Sequence, residues 1–510
     1  MNDWTSGYVT DIDYTFGYYN ELNPLRLKLA FLNAGLVPPE VGTACELGFG
    51  QGVSANFHAA GSMVHWYGND FNPSQAAHAR EMAEASGVQV ELVDDTFADF
   101  ASREDLPEFD YIGLHGIWSW ISDENRAHIV EFIRRKLKIG GVVYISYNTL
   151  PGWSAFAPLR YLMTDHAELI GADGHGIADR IGGALAFTEK LLATNPAYSR
   201  AHPQLSDRIK RLQQQSPHYL AHEYFNRDWT PMRFANVMEM LAPAKLNFAC
   251  SASYLDHIDE VNLSTEQREL LQTLPDAQFR ETVKDFMVNQ QFRRDYWVKG
   301  IRRLTPLKQF EQLRAFACIL VVPPSEVTLQ FPGGQGEVTM SESIYTPIID
   351  ALVDYKVTTL EQLHKKVESD VSFPQLVQAA VLLTGLGYLA PVQNAEKTAL
   401  ASEPTRKLNL YILDRARSNS ELPYLVSPLL GGGIVVGRLQ QLFVAAVIDG
   451  NHTAKKMANQ AWKLLESQGQ NLMREGEALT TAKENLAHMQ HHAEEFTKNQ
   501  LPILKALQIL

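Results

Sequence analysis

Glu46, Gly48, Gly50 and Gly52 fall in the stretch "CELGFGQG" from Cys45 to Gly52, an acidic side chain followed by glycines at alternate positions. Glycines so spaced let the backbone lie against a ligand with no side chain intervening. The pattern is G-x-G-x-G, without the G-x-G-x-x-G that holds a dinucleotide pyrophosphate at a helix N-terminus. An acidic residue at such a turn points to a ligand carrying a positive amine. S-adenosylmethionine carries that amine and a sulfonium besides. A tight strand-to-helix turn is the plain alternative for the glycines taken alone. Asp70 ends the next apolar run, where a carboxylate can accept hydrogen bonds from ribose hydroxyls. After the third run come Asp94, Asp95 and Thr96, one of which would meet the adenine amino group; spacing leaves Asp95 and Thr96 both open. Phe49 and Phe71, beside these residues, join the expected cofactor set. A nicotinamide enzyme is the runner-up for this domain.

In a doubly wound sheet, ligands sit outside the carboxyl ends of the strands. His115, Gly116, Trp118, Ser119 and Trp120 follow the fourth strand candidate, and Tyr147, Asn148 and Trp153 follow the fifth. His115 and Gly116 are expected to border the cofactor; His115, Trp118, Tyr147 and Tyr224 are the candidate catalytic residues. Methyl transfer is an in-line displacement, so the protein must hold the nucleophile against the methyl group and exclude water. Aromatic faces suit a cationic sulfonium. A lysine acceptor must first lose a proton from an amine with a reference pKa of about 10.4, and Tyr, His or a carboxylate can take it. Each candidate has a bland counterpart. Trp118 and Trp120 also fit as core filler, His115 as a loop anchor, and His222, Glu223 and Tyr224 as a helix-capping cluster. Tyr147 points toward the site only in one strand register. Tyr8 and Tyr14 are read as an N-terminal lid over the cofactor.

The elements that would position these residues are short apolar runs alternating with helical segments between Gly42 and Asn148. "GTACELG", "HWYGNDF", "VQVELVDD", "FDYIGLHG" and "GVVYISYN" read as strands. "VSANFHAAGS", "PSQAAHAREMAEASG" and "DENRAHIVEFIRRKLKIGG" read as helices, the last with a Gly-Gly stop. The alternation predicts an α/β fold with a doubly wound, seven-stranded parallel-type sheet. Its last two strands are "KLNFACSAS" and "RDYWVKG", beyond a helical insertion from about Phe156 that covers the strand ends as far as about Thr230.

"VTLQFPGGQGEVTM" reads as a hairpin turning on Pro-Gly-Gly, followed by a helical unit of winged-helix look. Its would-be recognition helix, "FPQLVQAAVLLTGLG", has no lysine or arginine, which speaks against DNA. Gly431 to Gly433 read as a turn. Leu465, Leu472, Leu479 and Leu486 recur every seven residues, with Ala482, Met489 and Phe496 beside them. That spacing predicts a long C-terminal helix with one apolar stripe, packed within the chain rather than against a second copy. Monomer and homodimer both stay open.

The 510 residues carry 58 acidic and 45 basic side chains, a net charge of -13, so nucleic acid is not an expected partner. Three cysteines without metal-like spacing suit a reduced compartment, and no metal site is expected. With no signal peptide and no apolar run long enough to span a bilayer, a cytoplasmic protein without membrane insertion is expected.

"FDYIGLHGIWSWISDENR" followed by "LKIGGVVYISYNTLPGW" resembles bacterial class I methyltransferases that carry a methyltransferase regulatory domain, among them the rickettsial lysine methyltransferases of outer-membrane protein. "YVTDIDYTFGYYNELNPLRLKLAFLNAGLVPPE" and "YLAHEYFNRDWTP" resemble the same group's N-terminal segment and the start of its regulatory region. Phe49 stands where commoner members have cysteine, and "IWSW" where tyrosine is more usual. The resemblance implies S-adenosylmethionine as cofactor and a protein lysine as acceptor. A surface glycan or small metabolite is the second acceptor class, and a cofactor-retaining binding module the third reading. Four domains are expected: 1–155, the N-terminal part of the methyltransferase core; 156–325, insertion and regulatory region with the last two strands; 326–400, winged-helix-like; and 401–510, helical.

Overall fold

The computed structural model describes residues 15–171 and 176–510. The alternating runs form seven strands: β1 (Thr43–Leu47), β2 (His65–Asn69), β3 (Val90–Val93), β4 (Phe109–Leu114), β5 (Leu137–Asn148), β6 (Leu246–Ser251) and β7 (Phe292–Lys299). They lie in the order β3-β2-β1-β4-β5-β7-β6. The first five are parallel, and β7 runs antiparallel to both its neighbours. Helices cover both faces, as parallel strands require. On one face Tyr111, Val142 and Tyr144 pack with Leu27, Leu29 and Phe31 of helix Pro24–Asn33. On the other, Ile112, Val143 and Ile145 pack with Phe132 and Ile133 of helix Asp123–Lys136. This is the doubly wound, seven-stranded sheet that the sequence predicts.

Local signals act as read where the chain is regular. Helix Pro73–Ser86 begins on an Asn72 cap with proline in its first turn and ends on Gly87 in the left-handed region, φ 73°. The Gly-Gly stop is different. Helix Asp123–Lys136 already ends at Leu137, and Gly140 and Gly141 lie inside β5. There Leu137 pairs with Phe109 and Val142 with Tyr111, so residues 138–141 bulge out of the ladder.

Between β5 and β6 the insertion folds around its own core of Trp153, Phe156, Met163, Leu185, Ile209 and Trp229. It is tied to the sheet by backbone bonds from Thr230 to Ser119 and from Met232 to Asn148, each 2.8 Å. Further on, Gln330–Gly333 and Gly336–Thr339 pair as the expected hairpin, but Pro332 and Gly333 are in the strand and the turn is Gly334-Gln335. A three-stranded sheet of Ala317–Leu320, Thr358–Thr359 and Leu389–Pro391 then packs with helices Glu342–Asp350, Leu360–Val367 and Phe373–Gly385.

The single long tail helix does not form. Helix Ala454–Ser467 stops, a small hairpin (Met473–Arg474 with Glu477–Ala478) follows, and helix Ala482–Glu495 starts anew on a Thr481/Glu484 capping box. Gly469, two residues past that helix, and Gly476, in the hairpin turn, both adopt positive φ, which is incompatible with one continuous helix. Of the heptad leucines, Leu465 and Leu486 therefore sit on two separate helices, Leu472 and Leu479 flank the hairpin between them, and Ala482 is exposed. Leu465, Met489 and Phe496 nonetheless join one core with Val53, Phe57 and Met82 of the methyltransferase sheet's covering helices. The turn at Gly431 leads into strand Gly432–Val435. It packs against helix Val53–Ser62 so closely that a Cβ on Gly61 would lie 2.6 Å from the Gly431 carbonyl carbon.

Candidate active site

A cleft of about 830 Å³, counting its mouth, opens at the carboxyl ends of β1, β2 and β4 and is closed on one side by the insertion. Glu46, the penultimate residue of β1, lines it, with Gly48, Phe49 and Gly50 of the following turn. Gly48 (φ 69°) and Gly50 (φ 57°) hold left-handed conformations. A Cβ on Gly48 would stand 2.5 Å from Ile117 Cδ1. Glycine is therefore required there.

Asp70 and Phe71, just beyond β2, form the next wall. The Asp70 carboxyl accepts from the Gly50 amide at 2.8 Å and the Asn72 amide at 3.0 Å. The Gln75 amide nitrogen, turned toward it, lies 2.9 and 3.2 Å from its two oxygens. One carboxylate thus fixes both the glycine turn and the start of the next helix. His115 and Gly116 come from the end of β4. His115 Nδ1 is 2.8 Å from the Tyr144 hydroxyl, its ring stacks on Tyr19 at 3.8 Å, and the Gly116 amide donates to Ser146 Oγ at 2.8 Å.

Charge sets the character of the cleft. Among the described residues its lining includes the carboxyls of Glu46, Asp70 and Glu223 and no lysine or arginine. Burial, helped by the Asp70 charge, pushes Glu46 up to about 8. Burial likewise lifts Asp70 to about 7 against the bonds from Asn72 and Gly50. Glu223 rises to about 7, again by burial. Burial lowers His115 to about 4, so it is a neutral ring near pH 7. The Glu46 Oε2 atom is buried and has no hydrogen-bond partner among the described residues. Around Gly116 (φ 67°) nothing stands within 4 Å of where a Cβ would be. An unpartnered buried carboxyl oxygen asks for a donor, and a cleft of this sign takes a cation. The ammonium and sulfonium of S-adenosylmethionine match both demands.

The other expected site residues lie elsewhere. Gly52 caps helix Val53–Ser62 at φ 70°, and a Cβ there would meet Ala79 Cβ at 2.3 Å, so its role is helix packing. Asp95 faces Arg103 at 3.8 Å, and Thr96 caps helix Phe97–Ser102 through the Asp99 amide at 3.1 Å. Neither lines the cleft; Phe97 does. Trp118 is fully buried in the core on the far face of the sheet. Tyr147 points to that same face, because side chains alternate along β5 and it is Tyr144 and Ser146 that turn toward the cleft. Its hydroxyl donates to Asp295 at 2.7 Å. Tyr224 packs in the insertion core against Trp153 and Phe156. Tyr14, like Tyr8, lies outside the described residues.

Tyr19, Asn69, Gln75, Phe97, Ile117 and Asn226 line the cleft without having been singled out. Asn69 and Gln75 flank Asp70 by one residue and by just over one helical turn, a signal that was available. Nothing in the sequence marks Tyr19 or Asn226, which arrive from distant segments. Trp120, His222 and Glu223, which had competing structural roles, all line it.

Fold and cleft together define a class I S-adenosylmethionine-dependent methyltransferase. Residues 44–141 match the family model described as "Methyltransferase domain", and 216–299 that described as "Predicted methyltransferase regulatory domain". The chain belongs to the class I methyltransferases that carry this regulatory domain, together with an uncharacterized Synechocystis protein that is 40% identical over 99% of both chains. An uncharacterized protein of Rickettsia prowazekii is 27% identical over 295 residues, 56% of this chain and 51% of its own length. Among solved structures, PKMT2 from Rickettsia typhi in complex with AdoHcy superposes with a TM-score of 0.69 at 21% identity, covering 95% of this chain and 98% of its own.

Proposed function

We propose that the enzyme methylates a protein side-chain amine, with lysine as the acceptor. Glu223 carries this reading. It is a carboxyl lining the cleft from the insertion, held near 7 by burial. Such a group is half ionised at working pH and suited to take a proton from an entering ammonium. Further support comes from PKMT2, a protein lysine methyltransferase whose whole chain has this architecture.

In this reading Glu46 holds the cofactor's ammonium, Asp70 and the Gly48–Gly50 turn fix its ribose side, and Gly116 leaves room beside it. The bound cofactor supplies an electrophilic methyl group on a sulfonium. Tyr19, Phe71 and Trp120 offer aromatic faces that exclude water and attract cations. Neutral His115, held by Tyr144, keeps positive charge away from the same space. Desolvation in this wall lowers the acceptor amine's pKa, and Glu223 removes the proton before attack.

The test is to incubate enzyme and methyl-labelled cofactor with cell lysate, then map the label by mass spectrometry. Label on lysine Nε of one or a few proteins is expected. Label confined to glycan or small metabolites overturns the lysine acceptor. Label on no acceptor at all indicates a binding module.

A further inference from the structure

The Pro332-Gly333-Gly334 stretch, which the methyltransferase chemistry does not use, closes a second cavity of about 1180 Å³, counting its mouth. The cavity lies at the β6 edge of the sheet, largely within the residues that match the regulatory-domain family. Gly333 and Gly334 are what let the hairpin approach. A Cβ on either would stand 2.5–2.6 Å from the carbonyl oxygens of Val261 and Asn262, and the Gly334 amide donates to Val261 at 3.1 Å.

Inside, buried Arg293 serves three carboxylates: Asp285 at 2.7 Å, Glu281 at 2.9 Å and Asp295 at 2.9 Å. Lys284 is committed to Asp259 at 2.6 Å and to the Asp256 carbonyl at 2.8 Å. Negative charge therefore exceeds positive. Asp285 is 3% exposed and lines the cavity; Arg293 holds its Oδ1, while its Oδ2 has no hydrogen-bond partner among the described residues. Burial holds this carboxyl up near 6. Phe248, Leu255, Val261 and Val288 supply an apolar wall beside it. A buried, unpartnered carboxylate oxygen next to hydrocarbon calls for a cation with an apolar stem.

We infer that this cavity binds a small primary amine in its ammonium form, the charge against Asp285 and Glu281 and the stem along Phe248 and Val288. Among the described residues no group of three or more His, Cys, Asp or Glu side chains is arranged to hold a metal ion. The cavity floor is also bonded to the end of β5 and the start of the insertion. Asp295 accepts from Tyr147 of β5, and the Gln290 carbonyl accepts from Thr149 Oγ1 and from the Gly152 amide where the insertion begins.

The probe is n-hexylamine, titrated by calorimetry into full-length enzyme saturated with AdoHcy, with 1-hexanol as its uncharged counterpart. Hexylammonium should bind at least tenfold more tightly than hexanol. Asp285→Asn and Glu281→Gln should each weaken it tenfold or more while leaving AdoHcy affinity within twofold. Glu281→Gln, at a half-buried position, carries the test if Asp285→Asn does not fold. Glu223→Gln should leave amine binding intact. Equal binding of hexanol, or no binding of either, overturns the inference. So does amine binding that survives both cavity variants and disappears in Glu223→Gln, which would place the amine in the methyltransferase cleft. None of these outcomes bears on the lysine acceptor, which the labelling experiment decides separately.

Discussion

Replacing Glu46 by glutamine tests the cofactor site through its protons. In the empty cleft burial holds this carboxyl near 8, so at pH 7 only about a tenth of it is ionised. A ligand ammonium binds the ionised form. AdoHcy affinity should therefore rise up to about tenfold per pH unit between pH 6 and pH 8, then level off. Binding below pH 8 should release a proton, readable by calorimetry in buffers of different ionisation enthalpy. Glu46→Gln removes the charge-assisted hydrogen bond, a loss of about 1.5–3 kcal/mol, or roughly 10- to 150-fold at pH 8. It should also remove one unit of pH slope, whatever Asp70 contributes. Stability moves the other way. The folded pKa lies above the unfolded value of about 4.3, so the unfolded chain loses its proton first. The wild type is then progressively destabilised as pH climbs from about 4.3 to about 8, with no further change above. Relative to wild type, the glutamine variant should gain on the order of 3 kcal/mol between pH 5 and pH 8, whatever fixed penalty the amide carries. Equal pH slopes of AdoHcy affinity in the two proteins would refute the assignment of the ammonium to Glu46.

Asp70→Ala releases the Gly50 amide along with a cofactor contact, and should weaken AdoHcy by about 1.5–3 kcal/mol in calorimetry. Unchanged affinity would take Asp70 out of the site. Glu223→Gln should lower kcat and abolish the limb of the pH–rate profile that rises through about 7, since the base works only once ionised. AdoHcy affinity should hold. Leu479→Asp places a charge at a buried position of the tail and should cost about 2 kcal/mol or more of thermal stability. The solution mass is expected to stay the same; a dimer-to-monomer shift without a change in melting would assign the leucines to a partner.

What was legible in the sequence is what is encoded locally. The Glu46-to-Gly50 turn needs only neighbours to take shape, because positive φ and close approach both select glycine. Asp70 and His115 were findable because carboxyl ends of parallel strands point to a common edge. Tyr147 and Trp118 failed for one reason. Neither a strand's residue types, for Tyr147, nor those of the turn after β4, for Trp118, say which way an individual side chain goes, and both went to the far side of the sheet. The tail failed differently. A heptad count ignores backbone conformation, and Gly469 and Gly476 broke the helix while the apolar residues still met in one core. Asn226 and Tyr19 reach the cleft through contacts across the fold that no local pattern records.

The sign of the cleft ties these parts to turnover. S-adenosylmethionine carries a net positive charge, whereas AdoHcy, with one ammonium and one carboxylate, carries none. A low-dielectric space with carboxyls and no lysine or arginine favours the charged donor over the neutral product. In the proposed reaction the positive charge that leaves the sulfur appears on the methylated amine, next to Glu223 rather than Glu46. Transfer therefore moves the cation from the sheet side of the cleft to the insertion side. It weakens the hold on the spent cofactor and leaves the product ammonium facing a carboxyl that sits near neutrality. Glu223, already protonated by the amine it activated, adds no charge to hold the product, and it releases that proton to solvent before the next turnover. The insertion thus adds a third carboxyl to Glu46 and Asp70 whose ionisation can change within the working pH range.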